Sequence, residues 1–220
     1  MNFKQCNSTN YKSGRTSDIK YIVIHYTANN GDTASGNANY FANTKNISAS
    51  AHYFVDENTI WQSVKDIDTA WHCGAKSYKH PYCRNNNSIG IELCSRKDAK
   101  GNYYFKDETV KNAAELTKAL MAKYNISAAN VIRHYDVTGK VCPAPMVDKV
   151  SLWNEFKKMI SISTKKLETG NDIIWELMNG KYKVEIIDVN RAVAALDNAK
   201  NSKEFMSLYW ILYKLVNGND

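Results

Sequence analysis

The sequence lacks any hydrophobic run that approaches the roughly 20 apolar residues a helix needs to cross a bilayer. The first residues, Met1 to Cys6, also lack the apolar centre of a secretory signal. The sequence therefore predicts a protein that is not inserted in a membrane and has no signal peptide. Its export would need another route.

A disulfide framework is also not indicated, because the cysteine count is odd and no secretory signal accompanies it. The five cysteines are Cys6, Cys73, Cys83, Cys94 and Cys142. We expect free thiols, the usual state in a reducing cytosol. Whether Cys73 and Cys83 pair after release into an oxidising medium stays open.

The chain contains no recognisable nucleic-acid-binding motif, although it is basic. Lysine and arginine number 29 against 22 aspartate and glutamate residues, a formal net charge of +7. From residue 165 onward the two signs balance, so the excess lies in residues 1–164. A basic surface suits an anionic polymer, and the missing motif makes nucleic acid the less favoured one.

The composition, with 44% hydrophobic and 23% charged residues, is that of a soluble globular protein. At 220 residues the chain allows one full domain and a small appendage. We expect a domain at 1–160, a polar linker at 161–171 and a helical domain at 172–220. The apolar stripes of the helical domain are marginal for an independent core, and either a homodimer or packing against the first domain would help to bury them. An extended polar arm is predicted for residues 1–17.

Strand and helix patterns alternate along the first domain. Strands are predicted at 18–27, 51–56, 59–64, 89–93 and 131–134, and helices at 34–45, 107–124 and 151–160. Along the fourth strand, Glu92 points away from the face that carries Ile89, Ile91 and Leu93, because strand side chains alternate.

The stretch from Arg133 to Pro143 brings two potential metal ligands close together in sequence. His134 ends an apolar run, Thr138-Gly139 signals a turn, and Cys142 follows. A catalytic zinc usually takes three protein ligands and leaves one position open. His25, at the end of the first predicted strand, is the best third candidate.

Five ordered motifs give these residues a family context: Ile-Val-Ile-His-Tyr-Thr around His25, Ser-Ala-His-Tyr-Phe-Val around His52, Ala-Trp-His-Cys-Gly around His72, Asn-Ser-Ile-Gly-Ile-Glu-Leu around Glu92, and His134 through Cys142-Pro143. Over roughly residues 15–160 the chain resembles the zinc-dependent N-acetylmuramoyl-L-alanine amidases of phage endolysins and autolysins, relatives of the peptidoglycan recognition proteins. The resemblance implies an α/β fold, a mixed central β-sheet flanked by helices, with the helical domain appended.

The resemblance also implies roles for single residues. Zn²⁺ would be held by His25, His134 and Cys142, with Glu92 and Lys140 as the catalytic pair. The substrate-binding candidates are His52, Trp71 and His72, although near position 52 either His52 or Tyr53 could border the groove. From the chemistry of metal sites, Asp136 is a candidate to orient a histidine ligand through its second ring nitrogen.

Two functions compete for this set of residues. The favoured one is hydrolysis of the amide bond between N-acetylmuramic acid and L-alanine, and the alternative is a non-catalytic peptidoglycan-binding module of the same fold. A structural zinc protein is disfavoured because three ligands indicate an open site. The expected partners are peptidoglycan and teichoic or other secondary wall polymers. We expect synthesis in the bacterial cytoplasm, action on the wall after lytic release, and wall targeting by residues 172–220.

Overall fold

The computed structural model of the protein describes residues 1–161. The strands are β1 (Asn2–Phe3), β2 (Tyr11–Lys12), β3 (Tyr21–Tyr26), β4 (Tyr53–Val55), β5 (Ile60–Gln62), β6 (Thr69–Ala70), β7 (Ser88–Leu93), β8 (Arg96–Lys97), β9 (Tyr103–Tyr104) and β10 (Val131–Arg133). The helices are α1 (Ala34–Asn43), α2 (Asp107–Tyr124), α3 (His134–Thr138), α4 (Ala144–Asp148) and α5 (Val150–Ser161). The predicted linker beyond Ser161, the helical domain at 172–220 and its dimer lie outside the described residues.

A six-stranded sheet in the order β1-β5-β4-β7-β3-β10 forms the centre of this part of the chain. Strands β4, β7, β3 and β10 run parallel, β5 is antiparallel to β4, and β1 is parallel to β5. The predicted mixed sheet flanked by helices is therefore confirmed. The predicted hairpin is confirmed as β4 and β5, and the Asp56 carboxylate accepts the turn amides of Asn58 (2.8 Å) and Thr59 (2.6 Å).

One face of the sheet carries aliphatic side chains that pack against α2 and α5. The buried members of this core from β3 and β7 are Ile22, Ile24, Ile89, Ile91 and Leu93. From α2, Ala113, Ala114 and Leu120 pack on them, in the helical spacing that the sequence predicted. Helix α2 bears acidic residues in its first turn, which favour the positive end of the helix dipole, and ends at a left-handed Asn125.

The N-terminal segment is not the extended arm that its polarity predicted. Residues Asn2–Phe3 form an edge strand on β5, and Tyr11–Lys12 pair with β6. Between them, Cys6 is buried with Val64 and Ala70. Backbone hydrogen bonds hold the segment in place, and its polar composition gave no sign of this pairing.

The helices and cysteines of the described residues bear on two questions that the sequence raised. Within residues 1–161, no helix is long and apolar enough to pass through a membrane. All five cysteines are buried free thiols. Cys73 and Cys83 belong to one small core cluster with Val23 and Val137.

Candidate metal and catalytic site

The three side chains predicted to bind a metal converge on the face of the sheet opposite α2. His25, His134 and Cys142 are all buried, and each offers a ligand atom that lies within 4.8 Å of the other two. A tetrahedral zinc site with bonds of about 2.0–2.3 Å spaces its ligand atoms by roughly 3.4–3.8 Å. Small side-chain adjustments would therefore be enough to fit one ion.

The parallel pairing of β10 with β3 places the two histidines side by side. Arg133 is in register with Ile24, so the next residues along the two strands, His134 and His25, come together with ring centroids 4.6 Å apart. The sequence placed His134 at the end of a strand. In the structure the strand ends one residue earlier, and His134 begins α3.

The turn after α3 returns Cys142 to the same point. Helix α3 ends at Thr138 and is capped by Gly139, whose φ of 86° is strained for any residue with a side chain. The Tyr135 amide then donates to the Cys142 carbonyl at 2.8 Å. The Cys142 sulfur lies 3.7 Å from Nδ1 of His25, as the predicted turn at Thr138-Gly139 requires.

Burial sets the protonation of the three candidate ligands. It lowers the pKa of His25 well below its ordinary value, helped by the charge of neighbouring His134, and it lowers the pKa of His134 to about 4. Both rings are therefore neutral near pH 7, each with a free lone pair. Burial raises the pKa of the Cys142 thiol to about 12, so a thiolate here needs a cation beside it. Two imidazoles and a thiol that only a cation would ionise fit a metal that accepts nitrogen and sulfur.

Glu92 lies beside these ligands on β7, in register with His25. Its Oε1 is 3.9 Å from Nδ1 of His25, and its Oε2 is buried without a hydrogen-bond partner within the described residues. Burial raises the pKa of this carboxyl to about 8, against the opposing charge of Lys140. A buried carboxylate oxygen without a partner is costly, so its position calls for a functional explanation.

A cavity of about 800 Å³ gives access to the site. His134 and Lys140 line one side of it, and Trp71 and His72 line another. The remaining lining residues are Ser48, Ala49, Gly74, Ala75, Lys76, Ser77, Asn85 and Thr138. The cavity therefore leaves room for a ligand to bind beside the potential metal site.

A family model described as N-acetylmuramoyl-L-alanine amidase matches residues 15–145, more than half of the chain. These residues contain all three converging ligands as well as Glu92. The chain belongs to this amidase family.

Curated relatives and solved structures agree with the family assignment. The chain is 36% identical over 168 residues to the N-acetylmuramoyl-L-alanine amidase CwlL of Bacillus licheniformis, covering 72% of this chain and 45% of the relative. It is 36% identical over 150 residues to the amidase XlyA of Bacillus subtilis (strain 168), covering 67% of this chain and 46% of the relative. The chain thus spans less than half the length of these two relatives.

Among solved structures, the catalytic domain of XlyA matches with a TM-score of 0.59 and 32% identity, over 73% of this chain and 100% of that one. A mutant endolysin from Bacillus subtilis matches with a TM-score of 0.58 and 35% identity, over 73% of this chain and 99% of that one. The match therefore extends over all or nearly all of both solved structures.

Of the three predicted substrate contacts, Trp71 and His72 line the cavity. His72 also has a second environment that the sequence did not reveal, because its Nδ1 lies 3.0 Å from Nε2 of His25. Its ring is seated directly on Gly90.

The prediction that His52 contacts the substrate does not fit its position in this amidase fold. His52 has no exposed surface. Its Nδ1 accepts the Gly90 amide at 3.0 Å, while its Nε2 faces Arg15 at 2.6 Å and the Asp68 carbonyl at 3.3 Å. With both ring nitrogens already engaged inside the protein, the side chain has no surface left for a ligand.

The prediction that Asp136 orients a histidine ligand is also wrong. Its carboxylate accepts from Nη2 of Arg133 at 2.9 Å, from Nε at 3.0 Å and from the Arg133 backbone amide at 2.9 Å. Arg133 and Asp136 are three residues apart at the start of α3, so they can pair without a long-range contact. Nε2 of His25, its second ring nitrogen, is hydrogen-bonded to His72 instead.

Lys140 lies on the cavity rim as an exposed residue. Within residues 1–161 its ammonium group has no ion-pair partner, yet its charge acts on the carboxyl of Glu92. The sequence gave no sign of Asn85, whose side-chain oxygen accepts the backbone amides of His72 (3.2 Å) and Cys73 (2.8 Å). Asn85 thereby fixes the turn that presents His72.

Proposed function

We propose that this chain is a zinc-dependent N-acetylmuramoyl-L-alanine amidase, a peptidoglycan hydrolase that cuts the amide bond between N-acetylmuramic acid and L-alanine. The observation that carries the proposal is the convergence of three buried ligands at an open cleft, beside a Glu92 carboxylate whose buried Oε2 has no hydrogen-bond partner in the described residues. Such a constellation supplies a metal position and a proton acceptor for one reacting amide.

His25, His134 and Cys142 would hold the ion, through Nδ1 in the case of His25. Two neutral nitrogens and one sulfur are ligands that zinc prefers, and three protein ligands leave an open position. When bound, zinc supplies Lewis-acid polarisation of the amide carbonyl and a water nucleophile that is acidic near neutral pH.

Glu92 is the proposed general base and acid. Its Oε2 has no competing hydrogen bond among the described residues, and burial raises its pKa toward the working pH. The carboxylate would take a proton from the attacking water and later deliver it to the departing nitrogen of L-alanine. Both transfers can use the same carboxylate because β7 places it next to His25.

Lys140 is the proposed cation for the oxygen of the tetrahedral intermediate. It is exposed on the same cavity that His134 lines, so its ammonium can turn toward a bound substrate without breaking an existing ion pair in the described part of the chain. A fixed positive charge beside a developing oxyanion is a large source of catalysis.

The proposal also covers the substrate and the place of action. The cavity walls offer Trp71 for stacking on sugar or peptide groups, and the basic character of residues 1–164 suits teichoic or other anionic wall polymers. We place the action of the enzyme at the bacterial wall, after lytic release. Wall targeting and dimer formation by residues 172–220 remain part of the proposal.

Digestion of purified cell wall tests the proposed bond. The full chain should release new L-alanine amino groups without new reducing sugar ends, and a chelator should stop the release. New reducing ends in place of amino groups would assign a glycosidase. Wall binding with neither product would favour the non-catalytic module.

A further inference from the structure

A chain of hydrogen bonds runs from the candidate metal ligand His25 to the backbone. Nε2 of His25 lies 3.0 Å from Nδ1 of His72, and Nε2 of His72 lies 3.0 Å from Oγ of Ser88. The Ser88 hydroxyl in turn donates to the Arg84 carbonyl at 2.7 Å. His25, His72 and Ser88 are thus joined one after another, and the last hydrogen bond ends at the backbone.

The last link fixes the direction of all the others, because a carbonyl can only accept. The single proton of the Ser88 hydroxyl goes to Arg84, and the Cys73 sulfur, 3.9 Å away, is a much weaker partner. Ser88 must therefore accept from Nε2 of His72, which leaves Nδ1 of a neutral His72 unprotonated. That nitrogen can only accept, so the proton of neutral His25 lies on Nε2.

This assignment leaves Nδ1 of His25 without a proton. Nδ1 is the nitrogen that lies 3.7 Å from the Cys142 sulfur and 3.9 Å from Glu92 Oε1. The hydrogen bonds alone thus give His25 the tautomer that a metal ligand needs, on the side where the other ligands converge.

Gly90 allows His72 to reach this position. A Cβ atom built on Gly90 would lie 2.6 Å from Cγ and 2.8 Å from Nδ1 of His72, closer than any side chain tolerates. The imidazole therefore lies against the bare backbone of β7, one strand over from His25. Asn85 holds the His72 backbone from the other side through its side-chain oxygen.

We propose that His72 is a positioning residue. Its Nδ1 accepts a hydrogen bond from the Nε2–H group of His25, and its own hydrogen bond to Ser88 keeps His25 in the metal-binding tautomer and orientation. The proposal rests on the proposed metal site. It assigns to His72 a role besides the substrate contact that its place in the cavity implies.

Two substitutions separate the positioning role from the contact role. His72→Phe keeps a flat ring of similar shape on Gly90 but removes both hydrogen bonds. His72→Asn places a carbonyl oxygen near the former Nδ1 and so keeps an acceptor for His25. We expect His72→Phe to weaken zinc binding roughly 10- to 100-fold and His72→Asn to recover a large part of that loss.

The measurement is competition for zinc between the purified full chain and a chromophoric chelator, with circular dichroism to show that each variant is folded. Steady-state kinetics on soluble muropeptide then separates kcat from KM. A positioning role lowers kcat at a nearly constant KM when zinc is subsaturating, and excess zinc restores part of kcat. Trp71→Phe, a change at the adjacent cavity residue, is the matched control and should leave zinc affinity unchanged.

Wild-type zinc affinity in folded His72→Phe, with only KM raised, would overturn the positioning role and leave His72 as a substrate contact. Equal affinity losses in His72→Phe and His72→Asn would also overturn it, because the acceptor would then not matter. Failure of the metal site itself is distinct, since wild-type protein would then bind no zinc in the same competition.

Discussion

Two carboxylates near opposite faces of the central sheet are bonded in opposite ways. Beside α2, Asp66 accepts hydrogen bonds from the hydroxyls of Tyr53 (2.6 Å) and Tyr124 (2.6 Å), from Gln62 (3.0 Å) and from the Lys123 ammonium (2.9 Å). On the opposite face Glu92 has a buried oxygen with no partner in the described residues. Burial by itself would raise the pKa of both carboxyl groups. The hydrogen-bond donors around Asp66 outweigh this effect and lower its pKa, whereas the pKa of Glu92 is raised to about 8.

This difference separates a carboxylate that stabilises the fold from one that is available for a reaction. A fully bonded carboxylate gains from being charged, and its removal should cost stability. An unpartnered one costs stability, and is explained by a partner that arrives later, such as a reacting proton. The contrast predicts that changes on the two faces will affect different measured quantities.

The largest expected effect comes from removing the metal from the Glu92 face. Chelation should reduce hydrolysis of wall amide bonds by at least roughly 1000-fold, because the nucleophile and the carbonyl polarisation are lost together. Thermal unfolding should also occur at a lower temperature, since an ion bound only by the folded state stabilises it. Amino-group release and calorimetry measure the two effects.

Added zinc should restore both quantities, and added magnesium, which prefers oxygen ligands, should restore neither. Full activity in metal-free protein, verified by elemental analysis, would contradict the proposed site.

The next largest effect is expected for Glu92→Gln. Turnover should fall by roughly 100- to 10,000-fold with loss of the general base, while zinc content and the free energy of unfolding stay close to wild type. Gln keeps the shape of the side chain, so a folding defect is not expected. Glu115→Gln, at an exposed position on α2, is the control and should change neither quantity. Turnover of Glu92→Gln within threefold of wild type would refute the general-base role.

The sequence predicted the aliphatic face and the candidate ligands for the same reason: both depend on local pattern. Alternation in β7 alone separated Glu92 from Ile91, and ordered motifs pointed to His25, His134 and Cys142, which the structure brings together. In these cases the residue type and its spacing carry the information.

Interactions at a distance were not predictable in this way. His52 is buried, and Arg15, 37 residues earlier, reaches its ring. The link between His25 and His72 spans 47 residues, and its one sequence signal was an isolated glycine within a strand, which indicates close approach of another group. Two-residue strands such as β1 are too short to show any periodicity.

Ile91→Ala should affect stability instead of catalysis, although Ile91 is the neighbour of Glu92 on the same strand. Ile91 is completely buried against the α2 side, so its truncation should lower the free energy of unfolding by roughly 2–5 kcal/mol. The folded fraction should keep wild-type kcat, measured well below the unfolding temperature. Ile67→Ala, at a side chain that is 72% exposed, should change stability little. A kcat loss in Ile91→Ala as large as that of Glu92→Gln would break the distinction between the faces.

The smallest effect is expected for Asp66→Asn, which tests whether the satisfied carboxylate stabilises the fold. At pH 7 the change should lower the free energy of unfolding by roughly 1.5–3 kcal/mol, the range for hydrogen bonds to a charged group, with zinc content unchanged. Because the pKa of Asp66 in the folded protein lies below the ordinary value of 3.8, its contribution is present above that pH and is lost as the pH falls through the folded pKa. The stability difference between wild type and Asp66→Asn should therefore shrink in acid, measured by urea unfolding from pH 7 down to pH 2. A stability difference that stays constant over that range would mean that the charge of Asp66 contributes nothing. Its hydrogen bonds would then act as those of an uncharged group do. The contrast with Glu92 would in that case be one of packing and not of charge.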